Sequence, residues 1–149
     1  MDIDLQINYL SAPETYLVRN PVLRPGKPIA SCVFDGDNLP TTFHLGGFYQ
    51  KRLVAVVTFL EQDRSDFGLK NAGQVRGMAV LKEYQGKGFG KLLLNFGEKL
   101  LFDRQIKTVW MNAREIAVPF YKNCGYNILG EPFVIPEIGN HFVMFKKLS

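Results

Sequence analysis

Tyr84-Gln85-Gly86-Lys87-Gly88-Phe89-Gly90-Lys91 joins two segments of opposite periodicity. Before it, Gln74 to Leu81 is a run of mostly apolar residues and reads as a strand. After it, apolar residues recur at Phe89, Leu92, Leu93, Phe96 and Leu100, one face of an amphipathic helix. Glycines at a strand-to-helix turn let the backbone approach a ligand, because no Cβ stands in the way. The helix start adds unpaired N–H groups and the positive end of the helix dipole. Such a turn suits a phosphate or pyrophosphate, and Lys87 and Lys91 add charge beside it. A tight connection without a ligand is the plain alternative. Spacing removes two nucleotide-binding patterns: no GxxxxGK followed by Ser or Thr occurs, and Gly86, Gly88 and Gly90 form GxGxG in mid-chain, where a dinucleotide fold would open on GxGxxG.

Working outward, Asp4 to Tyr9 alternates as a strand, and Ser11 can cap a helix over Pro13 to Leu23. Pro21, followed by Pro25-Gly26-Lys27-Pro28, ends that helix in a long loop reaching Pro40. Thr42 to Tyr49 and Arg52 to Leu60 read as a hairpin about Gln50-Lys51. Arg64 to Asn71 reads as loop, Thr108 to Ala113 as a strand, and Ala117 to Asn123 as a short helix stopped by Gly125. Ile128 to Ile135 and His141 to Lys147 are the last two strands. The order β-α-β-β-β-α-β-α-β-β predicts a mixed α/β domain spanning residues 1–149.

Composition narrows the function. Of the 149 residues, 46% are apolar and 13% aromatic, enough for a packed core. No run approaches a membrane span, and the acidic start Met1-Asp2-Ile3-Asp4 lacks the features of a signal peptide, so a cytoplasmic protein with no membrane partner is expected. Cys32 and Cys124 have no ligand-like spacing, so no metal is expected and both should be free thiols. The formal charge of +4 is scattered, without a basic stripe carrying aromatics. Nucleic acid is therefore not expected as a partner, whereas a phosphate-rich ligand fits.

Gln85, Gly88 and Gly90 also fill a more specific pattern: Gln or Arg, two residues, Gly, one residue, then Gly or Ala. With it come Gly77-Met78-Ala79-Val80-Leu81 before the loop, Val109-Trp110-Met111-Asn112-Ala113-Arg114, and Ala117-Val118-Pro119-Phe120-Tyr121-Lys122-Asn123-Cys124-Gly125-Tyr126. Together these segments resemble the GNAT superfamily of N-acetyltransferases, over roughly Phe43 to Leu148. The resemblance implies a GNAT-like domain, with a mixed, mostly antiparallel sheet flanked by helices and splayed central strands. It implies acetyl-CoA as co-substrate and an amine-bearing acceptor, and leaves a homodimer open. The activity it implies is acetyl transfer to a primary amine by direct attack on the thioester. A non-catalytic acyl-CoA sensor on the same fold is the alternative.

The resemblance places the pantetheine arm along Met78, Ala79 and Val80, and the pyrophosphate on Gln85, Gly86, Lys87, Gly88, Phe89, Gly90 and Lys91. It places Asn112 on the arm and Tyr121 beside the sulfur. An ordinary phenol has a pKa near 10, against about 8.5 for a cysteine-type thiol, so Tyr121 would protonate the departing thiolate. The base is not carried over, since the strand before the loop offers Gln74 and Arg76 but no carboxylate. Glu61, His44, Glu137 and His141 are the candidates, and a water relay is open as well. Glu137 and His141 share the turn between the last two strands, and a His titrates near neutrality unaided. They are taken with Tyr121 and Asn112 as the catalytic set. Arg24 to Asp37 should line the acceptor site, where Asp35 and Asp37 either attract a cation or serve turns.

Overall fold

The computed structural model describes residues 4–149. In chain order the elements are β1 (Leu5–Leu10), α1 (Ala12–Leu23), β2 (Phe43–Tyr49), β3 (Arg52–Glu61), β4 (Ala72–Val80), α2 (Phe89–Asp103), β5 (Thr108–Arg114), α3 (Val118–Asn123), β6 (Asn127–Ile135) and β7 (Gly139–Lys147). This is the expected succession. The strands form a seven-stranded sheet in the order β1-β2-β3-β4-β5-β7-β6. It is mixed and mostly antiparallel: β4 and β5 run parallel, while β1–β2, β2–β3, β5–β7 and β6–β7 are antiparallel. The parallel ladder is short. It pairs only Ala72–Gln74 with Thr108–Trp110, although β4 continues to Val80 and β5 to Arg114.

The chain forms two compact units, one running to Leu60 and including Val75–Lys99, the other Glu61–Gln74 with Leu100–Ser149. In the first, α1 opens on a capping box: Ser11 N–H donates to Glu14 Oε1 at 2.8 Å, and Glu14 N–H to Ser11 Oγ at 3.4 Å. Pro21 does not end this helix; it sits in the last turn, two residues before the end at Leu23. The β2–β3 hairpin turns on Gln50 and Lys51 with φ of 49° and 69°. Two left-handed central residues make the turn whose twist matches that of the strands. The segment from Arg24 to Thr42 holds one 3-10 turn, Ile29–Cys32.

Within that unit α2 lies close against β3 because Gly97 has no side chain. A Cβ there would stand 2.0 Å from Cε2 and 2.3 Å from Cζ of Phe59, a ring fully buried and stacked on Phe43 at 5.3 Å. Gly97→Ala should destabilise the fold by about 1–3 kcal/mol through overpacking, or roughly 2–4 °C in Tm per kcal/mol. An unchanged thermal melt would refute this packing.

In the second unit, Leu69, Ala72, Trp110 and Val143 form a buried cluster that Phe67, Leu129, Phe133 and Phe145 extend. Trp110 Nε1–H donates to Gln62 O at 2.8 Å, so the indole's polar end is satisfied. β5 and β7 pair from Thr108↔Lys147 to Arg114↔His141, which sets Asn112 opposite Val143 and His141 at the end of the ladder.

Candidate active site

The glycine loop lies wholly in the first unit. After β4, Leu81 N–H returns to Val54 O of β3 at 2.8 Å, and a single 3-10 turn, Lys82–Tyr84, leads into the loop. In an extended strand the backbone groups of successive residues alternate between the two edges. Since Leu81 faces β3, Val80 and Met78 present their N–H and C=O groups on the opposite edge. Ala79 faces β3, and its side chain is buried, so it adds no backbone group to the edge where Met78 and Val80 lie. Gln85 Nε2–H donates to Val80 O at 2.9 Å. The Gln85 side chain is thus used to close the loop onto the strand.

Gly86 and Gly88 have φ of 80° and 83°, angles that a residue bearing a Cβ adopts only with strain. A Cβ at Gly86 would meet nothing within 4 Å, so the loop's outer face is open. The first helical bond of α2 runs from Leu92 N–H to Gly88 O at 3.1 Å, which leaves Phe89, Gly90 and Lys91 N–H ahead of the ladder. Lys87 and Lys91 are exposed beside them. Phe89 points the other way: it is 2% exposed, with ring centroids 5.3 Å from Tyr49 and 6.4 Å from Tyr84. This aromatic group, with Arg52 Cζ 5.5 Å over the Tyr84 ring, anchors the loop. Tyr49 and Arg52 carry no sequence signal for that role, being far upstream in a hairpin.

Asn112, Tyr121, Glu137 and His141 lie in the second unit. Asn112 Oδ1 accepts from Arg64 Nη1–H at 2.9 Å, which fixes the amide and leaves its NH₂ donors outward of that bond. Arg64 is held in turn by Asp66 at 2.9 Å and lies over the rings of Phe67 and Trp110 at 5.0 and 5.2 Å. Tyr121 is 7% exposed, with ring contacts to Phe120 at 5.1 Å and Tyr126 at 5.8 Å. Burial pushes its phenol well above the usual range, and the neighbouring Cys124 thiol adds to this. The hydroxyl therefore stays protonated, as a donor.

His141 is buried, and its Nδ1 lies 2.9 Å from Gly139 O. A carbonyl only accepts, so Nδ1 carries the proton and Nε2 keeps a lone pair. Glu137 is exposed in the turn with φ of 69°, and no hydrogen bond or ion pair joins it to His141. The structure does not assemble these two into a dyad.

Other candidate bases are already engaged. Glu61 pairs with Arg104 at 3.1 Å. His44 is buried, with Nε2 3.0 Å from Asp37 O and Nδ1 2.6 Å from Thr58 Oγ1. Nε2 must donate to the carbonyl, so Nδ1 accepts from the Thr58 hydroxyl and has no lone pair for substrate. Asp37 does not attract an acceptor either. It is 5% exposed, ion-paired to Arg19 at 2.7 Å, and accepts Phe34 N–H at 3.0 Å. Its turn role is the one realised.

Burial drives the His44 imidazole below its ordinary value, partly offset by the Asp37 carbonyl and charge and reinforced by Arg19. Burial raises the Asp37 carboxyl, but the Arg19 hydrogen bonds, the Phe34 N–H and the nearby charges outweigh it, leaving a net depression. As pH falls below about 6.5 the unfolded chain protonates this His while the folded chain resists, so stability falls. The Asp37 contribution persists to lower pH and is lost only below the ordinary carboxylate range. Urea midpoints should drop between pH 7.5 and 5.5, and His44→Gln should flatten that slope. Parallel slopes for the two proteins would contradict the assignment.

Among the described residues no helix is long and apolar enough to cross a membrane, and no three His, Cys, Asp or Glu side chains are grouped to hold a metal. Cys32 and Cys124 are buried, and neither is in a disulfide.

Residues 6–126 match the model of the acetyltransferase (GNAT) family. Over 144 residues the chain is 37% identical to a Bacillus subtilis protein described as the uncharacterized N-acetyltransferase YitI, covering 97% of each chain. The ribosomal-protein-S18-alanine N-acetyltransferase of Escherichia coli has the same fold, with a TM-score of 0.75 at 17% identity over 97% of this chain and 94% of that one. So does the PaiA N-acetyltransferase of Thermoplasma acidophilum, solved with coenzyme A, with a TM-score of 0.69 at 19% identity over 97% of this chain and 99% of that one. An open glycine loop between strand and helix, the element order, the matching family model and a full-length relative converge on one assignment: this chain belongs to the GNAT family of acetyltransferases.

Proposed function

We propose that the chain transfers the acetyl group of acetyl-CoA to a primary amine. The observation that carries the reading is the loop after β4. Left-handed Gly86 and Gly88 open its amides outward, and the unladdered N–H groups of Phe89, Gly90 and Lys91 follow at a helix start. These donors, with Lys87 and Lys91, suit a pyrophosphate. The N–H groups of Met78 and Val80, on the edge of β4 away from β3, suit the amides and carbonyl of a pantetheine thioester. That coenzyme A is present in the Thermoplasma acidophilum structure supports this use of the fold.

Acetyl-CoA supplies an activated acyl carbon: the amine nitrogen bonds to it, the C–S bond breaks, and the thiolate leaves. The protein's part is to hold, orient and move protons. Val80 N–H would polarise the carbonyl as negative charge develops on its oxygen. Asn112, its amide set by Arg64, would donate to the arm. Tyr121 would donate its hydroxyl proton toward the departing sulfur. Because burial holds this phenol neutral, its part is a hydrogen bond to developing charge, with completion of the transfer left to solvent. His141 Nε2 is the lone pair fit to take the amine's proton, directly or through water. Glu137, exposed and unjoined to His141, would act only through its charge. The protein works on this reading as a cytoplasmic enzyme.

A panel of amines tests the proposal: small diamines, amino sugars, and peptides with a free N-terminus or a lysine. Each is mixed with acetyl-CoA and free thiol is read. Amine-dependent thiol release is expected for at least one class. Tight CoA binding without release for any class would favour the sensor reading.

A further inference from the structure

Arg19 of α1 has a fully buried side chain. Nη1 donates to Cys32 O at 2.8 Å and to Asp37 Oδ2 at 2.7 Å; Nη2 donates to Asp37 Oδ1 at 3.0 Å and to Thr58 Oγ1 at 2.8 Å. The guanidinium carbon lies 4.2 Å from the centre of the Phe34 ring. Nε, by contrast, is the one buried side-chain nitrogen or oxygen among the described residues without a partner. Its neighbour is the backbone of β4. At Gly77 a Cβ would stand 2.8 Å from Nε, 3.2 Å from Nη2 and 3.3 Å from Cζ, and Gly77 has φ of 61°. The strand is thus pressed onto the guanidinium at a left-handed residue.

A buried ion pair with an orphaned donor is a poor device for stability alone, since well-packed apolar residues do as well or better. What it gives is direction. The guanidinium is planar, its fork is fixed by Asp37 and Thr58, and a lysine cannot reproduce it. The residue it fixes comes immediately before Met78, and a left-handed residue within a strand resets which edge the following backbone groups face.

We propose that Arg19 is a positioning residue for acetyl transfer: its clamped guanidinium sets the turn at Gly77 and so aims the backbone of Met78 and Val80. This rests on the acetyl-transfer reading above. Arg76 assists from the neighbouring position, its Nη1–H donating to Asp35 O at 2.7 Å and tying β4 to the same loop.

The test uses Arg19→Lys and the charge-neutral double variant Arg19→Met/Asp37→Asn, since Arg19→Met alone would strand the Asp37 carboxylate. In both, the amide NMR signals of Gly77, Met78 and Val80 should move while those of Gly86 to Lys91 stay. kcat should fall about tenfold or more, and by a larger factor than CoA affinity, because the arm loses its alignment while the phosphate loop is untouched. Gly77→Ala should lower kcat in the parent and add less than about threefold in the double variant, as expected when two changes act through one turn. Unmoved Gly77–Val80 signals, or additive losses from Gly77→Ala, would overturn the inference even if the enzyme is active. If the parent protein neither binds CoA nor releases thiol, the acetyl-transfer reading itself fails and the catalytic role of Arg19 falls with it.

Discussion

Gly88→Val is expected to weaken CoA binding by about a hundredfold or more, some 2.7 kcal/mol, while the chain remains folded. Two effects combine. Gly88 sits at φ of 83°, where a β-branched side chain clashes with its own backbone, so the loop must leave the conformation that turns its amides outward. It is also the residue whose carbonyl accepts the first helical bond, from Leu92, so a shift there displaces the donors of Phe89, Gly90 and Lys91 as a group. The fold should survive because the loop is anchored elsewhere, by Phe89 against Tyr49 and Tyr84. Calorimetric titration with CoA, alongside circular dichroism, reads both halves. Parent-like affinity in a folded variant would exclude this loop as the phosphate site.

Tyr121→Phe should lower single-turnover rates roughly 10- to 1000-fold, the range for a general acid or one donor to developing charge. CoA affinity should change little, because a hydrogen bond to a departing thiolate is made mainly in the transition state. Packing is not the source of the loss, since phenylalanine keeps the ring contacts to Phe120 and Tyr126. The raised pKa has a consequence of its own. A phenol held neutral this strongly does not ionise in the working range, so the alkaline limb of the pH–rate profile should not report Tyr121. A loss below about threefold would reduce Tyr121 to a packing residue.

Local patterns carried most of the fold. The apolar positions from Phe89 to Leu100 mark α2, although Leu92 and Phe96 are exposed and the buried face runs through Phe89, Leu93, Leu94 and Leu101; Ser11 with Glu14 marks the start of α1, because these signals act within one or two helical turns. The helix ends at Leu23 as its pattern and the following Pro25-Gly26 indicate, with Pro21 held in its last turn at the loss of the one ladder bond its N–H would make. The phosphate loop was legible for the same local reason: its glycines, helix start and lysines are contiguous. Interactions between residues distant in sequence were not. Arg19 meets Asp37 and Thr58 at separations of 18 and 39 residues, and Arg64 meets Asn112 at 48. Nothing in the spacing announces such pairs. Asp37 and His44 looked like free chemistry in the sequence because their partners are fixed by tertiary structure alone. Which edge of β4 Ala79 faces is likewise decided by pairing with β3, not by residue type.

Binding of the cofactor by the folded chain is read from the Tm of the protein with and without acetyl-CoA. At about 100 times its dissociation constant, a ligand that binds only the folded state adds about 2.7 kcal/mol. For a chain of 149 residues that is a rise of roughly 5–10 °C. The rise is expected with both acetyl-CoA and CoA, and its loss in Gly88→Val. A Tm unchanged by either ligand at millimolar concentration would contradict cofactor binding.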